Sequence, residues 1–375
     1  MIRREGPIPF DRFVELALYE PAAGFFAAGR GAGRAGRDFV TSPEVGPLFG
    51  ACTARALDRL WAEHDTPDPF FVIEAGAGRG RLAREVLRAQ PACAPALRYV
   101  LVERSAALRE EQRQLLDLEP ADEALGPYSQ QSADDAPISI AGAGPVFVAL
   151  DELPALELDG VVLANELLDN LPFGIAEWDG RRWQEVRVAL GDDSLTEVLV
   201  PAEDDDAGAL REITSALTPA AGARLPIPRG IDAWFEACGR VLRHGTMVAI
   251  DYVDDARGLL ERGAESWLRT YRSHERGSGA LDAPGEQDLT SDVVREQLVR
   301  AARASGFRMA SDHSQAAWLR DLDIEGLVRE GRRTWEARAH LGDVEAVAGR
   351  SRATEAAALC DPAGLGAHRV VTLSR

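Results

Sequence analysis

Residues 70–90 decide the architecture. Phe70-Phe71-Val72-Ile73 is an apolar run with no helical spacing, Glu74-Ala75-Gly76-Ala77-Gly78-Arg79-Gly80 follows with glycine at alternate positions, and RLAREVLRAQ (81–90) returns apolar residues at helical spacing. A buried strand that turns through glycines into a helix is the first half of a βαβ unit, and repetition of that rhythm commits a chain to a parallel α/β sheet. RYVLVER (98–104), VFVALDEL (146–153), DGVVLANEL (159–167) and TMVAIDYV (246–253) read as further strands, with SAALREEQRQLL and IDAWFEACGRVL (231–242) as helices. Helices near 291–304 and 321–341 and the short strands FRMASDH and HRVVTLS complete the expected sheet. Glycines at such a turn let the backbone approach a bound nucleoside closely, at the carboxyl edge where open α/β sheets take their ligands.

Three stretches depart from that rhythm. PFDRFVELALYEP places Phe10, Phe13, Leu16 and Ala17 on one helical face, with Pro21 closing the helix. Residues 24–38, GFFAAGRGAGRAGRD, are too rich in glycine and arginine for a regular element and read as a mobile loop, either a solvated linker or a lid. A second helix is expected from Val45 to about Glu63, with Ser42 as its cap and Pro43 as its first helical residue. Between Phe173 and Val200 polar and apolar residues alternate, broken by Asp179-Gly180 and Gly191-Asp192, which predicts antiparallel hairpins. Residues 201–230 read as a partly helical connection. The resulting division is 1–68 as an N-terminal helical or lid extension, 69–172 as the first part of the core, 173–230 as an inserted substrate-side subdomain, and 231–375 as the second part of the core.

Composition removes several chemistries. All 42 basic residues are arginine, so the chain cannot form a Walker A loop, a pyridoxal phosphate Schiff base or a protein-kinase ATP site, each of which needs a lysine. A net charge of −19 repels nucleic acid and anionic membrane. Cys52, Cys93, Cys238 and Cys360 form no C-x-x-C pair, and the six histidines show no metal-binding spacing, so reduced core thiols and no metal are expected. No apolar run approaches a membrane span, and MIRREGPIPFDRF lacks the apolar stretch of a secretory signal. A bacterial cytoplasmic location is expected, and a homodimer is compatible with the sequence.

Two clusters carry the chemistry. Glu103 closes the second strand, where a carboxylate can accept hydrogen bonds from both hydroxyls of a ribose. A dinucleotide fingerprint would place its third glycine at Arg81, which disfavours a nicotinamide oxidoreductase; the E-x-G-x-G-x-G form resembles motif I of class I S-adenosylmethionine methyltransferases. Asn165-Glu166-Leu167-Leu168-Asp169-Asn170 follows the VVLA strand and falls on the ligand-binding edge, so Asn165 and Glu166 are expected in the site. Asp169 and Asn170 there either line the site or cap a helix.

The segments GRDFVTSPEVGPLFG (36–50), VIEAGAGRGRLA (72–83), YVLVERSAALREEQ (99–112), ANELLDNLPF (164–173), VAIDYV (248–253), TYRSH (270–274), PGEQDLTSDV (284–293) and HSQAAWL (313–319) occur in this order and resemble the MidA-type methyltransferases, the family of the mitochondrial complex I assembly-factor methyltransferase. The resemblance implies a class I methyltransferase fold, Rossmann-like with a mostly parallel seven-stranded sheet, carrying an N-terminal helical extension and a small antiparallel β insertion. It implies S-adenosyl-L-methionine as cofactor and S-adenosylhomocysteine as product. For the mitochondrial members it implies symmetric dimethylation of a protein arginine. Carried over, Gly76, Gly78 and Gly80 hold the methionine part of the cofactor, Glu103 the ribose and Asp151 the adenine, with Glu74 and Asn165 also among the cofactor-binding residues. Thr41, Pro43 and Glu44 belong to a segment that closes over cofactor and substrate. Two stretches depart from the family pattern: the Arg/Gly loop before Asp38, and FGIAEWDGRRWQEV after Pro172 in place of a His/Gln-containing form.

Methyl transfer from a sulfonium needs only an acceptor lone pair aligned opposite the leaving sulfur. A guanidinium acceptor stays protonated near neutral pH, so carboxylates must clamp it and accept a proton as the bond forms. Glu166 is the first expectation for that clamp, Asp169 the second and Asp251 a third, with His274 as a base or positioning group. The acidic chain suits a basic substrate protein. The other readings are an O- or N-methyltransferase acting on a small molecule of a bacterial biosynthetic pathway, and a non-catalytic assembly factor that binds the cofactor.

Overall fold

The computed structural model describes residues 2–30, 41–125, 142–192, 194–272 and 275–375. The chain clusters into two compact units, one of Met1–Phe39, Glu166–Gly239 and Asp251–Arg308, the other of Val40–Asn165, Arg240–Ile250 and Met309–Arg375.

The second of these units carries a seven-stranded sheet: β1 Phe70–Ala75, β2 Leu97–Val102, β3 Val146–Leu150, β4 Leu158–Asn165, β5 Leu242–Asp251, β6 Arg308–Ser314 and β7 Arg369–Ser374. Their spatial order is β6-β7-β5-β4-β1-β2-β3. β1 to β5 run parallel, with β1 between β2 and β4. Beyond the end of β7, Arg375 exchanges two hydrogen bonds with Gly245 of β5, the reciprocal pairing of antiparallel neighbours. All residues of β1 and β2 are buried, because helices cover both faces of a parallel sheet, and this is why the sequence reads there as unbroken apolar runs. The expected helix from Val45 is two helices, Ser42–Val45 and Pro47–Glu63, with Gly46 extended between them. Pro47 has no N–H and disfavours helical geometry at the residue before it, so the turn breaks there. The N-cap is Thr41; the hydroxyl of Ser42 instead donates to Oε1 of Gln315 at 2.9 Å.

The other unit is built on an antiparallel sheet. Gly174–Trp178, Trp183–Leu190 and Leu195–Pro201 are the expected hairpins, joined by Arg224–Ile227. Its membership differs from the division read from sequence. Helix Phe10–Tyr19 falls here because Ile8–Pro9 pairs with Trp183–Leu190 and because Phe10, Phe13, Val14 and Leu18 share a core with Ile175, Val186 and Leu225. Residues 251–308 join the same unit, through a three-stranded sheet of Leu268–Arg272, Glu275–Arg276 and Asp288–Ser291 and a two-stranded one of Val253–Asp254 and Val293–Val294. The first residues of the Arg/Gly loop are fixed rather than mobile: Phe25 is fully buried in this core, and the N–H groups of Phe25 and Phe26 donate to Ala17 and Leu18 at 2.9 Å. The remainder of that loop, and His274, lie outside the described residues. Among the described residues no helix is long and apolar enough to cross a membrane.

Candidate active site

The glycine turn after β1 is held by its surroundings. Gly76, Gly78 and Gly80 have φ of 70°, 52° and 76°, the left-handed region that favours glycine. The N–H groups of Gly76 and Ala77 donate to the carbonyl of Val102, tying the turn to the end of β2. Glu103 closes the arrangement: Oε2 accepts from the Gly78 N–H at 2.9 Å and Oε1 from the Ser105 N–H at 2.8 Å. Burial raises its carboxyl, and these two N–H groups oppose the shift. Gln112, fully buried in helix Ala106–Leu115, donates to the Gly78 carbonyl at 2.7 Å. The glycines differ in what a side chain would meet. A Cβ on Gly80 would lie 3.1 Å from Leu101 and 3.3 Å from Gln112 and Leu116, whereas one on Gly78 would find nothing within 4 Å. Gly80 thus serves packing, and Gly78 borders open space, which fits the methionine moiety of a nucleoside cofactor.

Glu74 lies under this turn, buried, and accepts from the Tyr99 hydroxyl at 2.8 Å. Burial pushes its carboxyl up to about 8; the Tyr99 hydrogen bond opposes that shift and the nearby Glu103 adds to it. Asp151 is exposed in the bend just past β3, and Asn165 is the half-buried last residue of β4. Thr41, Pro43 and Glu44 are buried, and their segment is anchored by the Ser42–Gln315 bond and by Glu355, which accepts from the Leu48 N–H at 2.9 Å.

A second polar group lies in the other unit. Glu166 is half-buried with φ of 51°, uncommon for a residue with a Cβ. Asp169, Asn170, Asp251 and Asp288 are 5%, 7%, 1% and 1% exposed. Both oxygens of Asp251 accept main-chain N–H groups, Oδ2 from Leu167 at 3.1 Å and Leu168 at 2.7 Å, Oδ1 from Tyr252 at 2.8 Å. Burial raises its carboxyl to about 6 against the pull of these bonds. Asp288 accepts from Asn170 Nδ2 at 3.0 Å. Asp169 is pushed well above the usual carboxylate range, by burial first and then by Asp251, Asp288 and Glu166, with Arg269 opposing. Its Oδ1 has no hydrogen-bond partner among the described residues. The Arg269 guanidinium lies 4.7 Å from the centre of the Tyr252 ring and pairs with Asp292 at 2.5 Å. Sequence reading singled out Glu166, Asp169 and Asp251 here but no role for Tyr252, Arg269 or Asp288. The last two fall next to or within the TYRSH and PGEQDLTSDV segments, whose sequence pattern by itself points to no chemistry.

Residues 52–311 match a family model described as "Putative S-adenosyl-L-methionine-dependent methyltransferase". Among curated proteins, the chain is 26% identical over 315 residues to the protein arginine methyltransferase NDUFAF7 homolog, mitochondrial, of Drosophila melanogaster, covering 80% of this chain and 68% of that protein. The human mitochondrial protein arginine methyltransferase NDUFAF7 is 26% identical over 340 residues, covering 86% and 72%. Among solved structures, a COG1565 superfamily member from Burkholderia thailandensis bound to S-adenosyl-homocysteine superposes with a TM-score of 0.79 at 25% identity, covering 100% of this chain and 89% of that one. The sheet, the glycine turn and the match over residues 52–311 agree: the chain belongs to this S-adenosyl-L-methionine-dependent methyltransferase family and is an α/β enzyme that uses that cofactor.

Proposed function

We propose that this enzyme methylates a protein arginine, with symmetric dimethylarginine as the product, and that Glu166 and Asp169 hold the guanidinium. The observation that carries the reading is the buried carboxylate group around Asp169, whose Oδ1 lacks a partner among the described residues and whose charge is disfavoured until a cation arrives. The names of the NDUFAF7 relatives support the same acceptor. The cofactor supplies a methyl group on a sulfonium. Gly76 and Gly78 border its methionine part while Gly80 keeps the turn packed against Leu101, Gln112 and Leu116, Glu103 exchanges its bond to the Gly78 N–H for the ribose hydroxyls, and Asp151 and Asn165 lie on the adenine side. Glu166 and Asp169 orient the guanidinium, localise its positive charge away from the attacking nitrogen and take up the proton released as the bond forms. Thr41, Pro43 and Glu44 line the cofactor, and His274 remains a proposed positioning group.

The net charge of −19 supports a basic protein segment as partner rather than nucleic acid or an anionic membrane, and we place the enzyme in the bacterial cytoplasm. A second reading, methylation of a small neutral acceptor, is favoured by Arg269, a guanidinium already present beside Asp169. Incubation with methyl-labelled S-adenosylmethionine and host lysate separates the two. Label in a protein band, recovered as symmetric dimethylarginine after hydrolysis, is the expected result; label confined to the metabolite fraction overturns the protein acceptor.

A further inference from the structure

We infer that Asp251 is a positioning residue for Glu166, locking it in the left-handed conformation that aims its carboxylate at the acceptor. This rests on the reading of Glu166 as an acceptor-binding group. Asp251 itself is spent on the main chain. Glu166 is left-handed with φ of 51°, and Leu167 after it is right-handed with φ of −115° and ψ of −42°. Consecutive residues of opposite hand turn their N–H groups toward one point and form an anion-binding nest. Here the anion is internal: Oδ2 of Asp251 takes the N–H groups of Leu167 and Leu168, at 3.1 and 2.7 Å. Oδ1 takes the N–H of Tyr252 at 2.8 Å, which fixes the carboxylate plane from its own strand. With the carboxylate 1% exposed and both oxygens engaged, Asp251 has little left to offer an acceptor.

The link to Glu166 is steric. A side chain with a Cβ does not hold left-handed geometry without compensation, and here the nest supplies it. Were Glu166 to relax to an extended φ, the Leu167 and Leu168 N–H groups would diverge from Oδ2, and the Glu166 side chain would leave from a different direction. Charge and shape at Asp251 therefore govern where the Glu166 carboxylate points.

Asp251→Asn tests this, because the amide keeps the shape but must set an N–H2 group against one of these N–H donors. With methyl-labelled S-adenosylmethionine and host lysate, the maximal labelling rate should fall about tenfold or more. The half-saturating S-adenosylmethionine concentration and the affinity for S-adenosylhomocysteine should stay within about twofold. A merely structural residue would not give that split. In a cycle with Glu166→Gly, which accepts left-handed φ freely, the Tm loss caused by Asp251→Asn should shrink by about 2 °C. Equal Tm losses in both backgrounds overturn the inference. Coupled Tm losses with an unchanged labelling rate overturn the role of Glu166 at the acceptor and leave the nest standing. If the unsubstituted enzyme labels nothing, the proposed function has failed and the Tm cycle alone decides the nest. If Asp251→Asn does not fold, hydrogen exchange in the unsubstituted protein decides: the Leu167 and Leu168 amides should be as protected as that of Val162 inside β4, and fast exchange overturns the inference.

Discussion

At the scale of single residues, the glycine turn separates two reasons for lacking a side chain. Gly80→Ala forces a Cβ to within 3.1–3.3 Å of Leu101, Gln112 and Leu116 at φ of 76°, so it should lower stability by about 1–3 kcal/mol. Gly78→Ala meets no protein atom within 4 Å, so it should cost only about 1 kcal/mol for its left-handed φ while weakening S-adenosylhomocysteine binding about tenfold or more. Urea unfolding and calorimetric titration of both variants check the pair; equal losses of affinity would show that the open side of Gly78 does not face the cofactor. Glu74 gives a pH prediction. Its carboxyl is raised from 4.5 to about 8 in the folded protein, so the folded state holds the proton more tightly than the unfolded chain. Its contribution to stability is thus complete below about pH 4.5 and is lost as pH rises toward about 8, at up to about 1.4 kcal/mol per pH unit. Glu74→Gln keeps an acceptor for the Tyr99 hydroxyl and cannot ionise, so its stability should fall less than that of the unsubstituted protein between about pH 5 and about pH 8. Parallel stability curves for the two proteins would refute the assignment.

At the scale of elements, the break at Gly46-Pro47 depends on a contact from far along the chain. Glu355, in helix Val344–Leu359, accepts from the Leu48 N–H at the start of helix Pro47–Glu63, and a Cβ on Gly46 would lie 2.3 Å from its carboxyl carbon. Glu355→Ala should cost about 1–2 kcal/mol, by removing a negative charge and an acceptor from a helix N-terminus. Gly46→Ala should destabilise by displacing the same carboxylate, so the double variant should lose less than the sum of the two; additive Tm losses would place the two residues in separate contacts. Pro47 could be read from the sequence as a helix start, whereas Glu355 could not be paired with it across three hundred residues of chain. Helix Val344–Leu359 carries no signal of its own in the sequence. Its sequence, VEAVAGRSRATEAAAL, has no broad apolar stripe, because it meets helix Ile324–Arg338 backbone to backbone, with a Cβ on Gly349 only 2.5 Å from the Gly331 carbonyl. Periodicity finds helices that pack through large side chains and misses those that pack through glycine.

At the scale of the whole molecule, what could be read followed sequence separation. The glycine turn is local: strand, glycines and helix lie within residues 70–90, and Glu103 closes the next strand, so the pattern alone brings Gly78 and Glu103 together. The carboxylate group draws residues from 166–170, after β4, and from 251–252, at the end of β5, together with Arg269 and Asp288, which sit on short strands whose pairing no local pattern encodes. Only the members that follow a core strand directly were therefore found. The same separation makes the two functions separable by mutation. S-adenosylhomocysteine, binding the native state alone, should stabilise the enzyme by about 2.7 kcal/mol at one hundred times its Kd. Glu166→Gln and Asp169→Asn keep shape and remove charge from the proposed acceptor group, so both should preserve that stabilisation and the Kd within about twofold while lowering methyl transfer about a hundredfold. Asp169→Asn should also unfold at a slightly higher temperature, because it relieves a buried carboxyl crowded by Asp251, Asp288 and Glu166. Loss of the ligand-induced Tm rise in either variant would assign that carboxylate to the cofactor instead. Retained transfer in both would mean that the acceptor is held elsewhere, and the neutral small-molecule reading would then gain over the arginine one, since a neutral acceptor needs no paired negative charge.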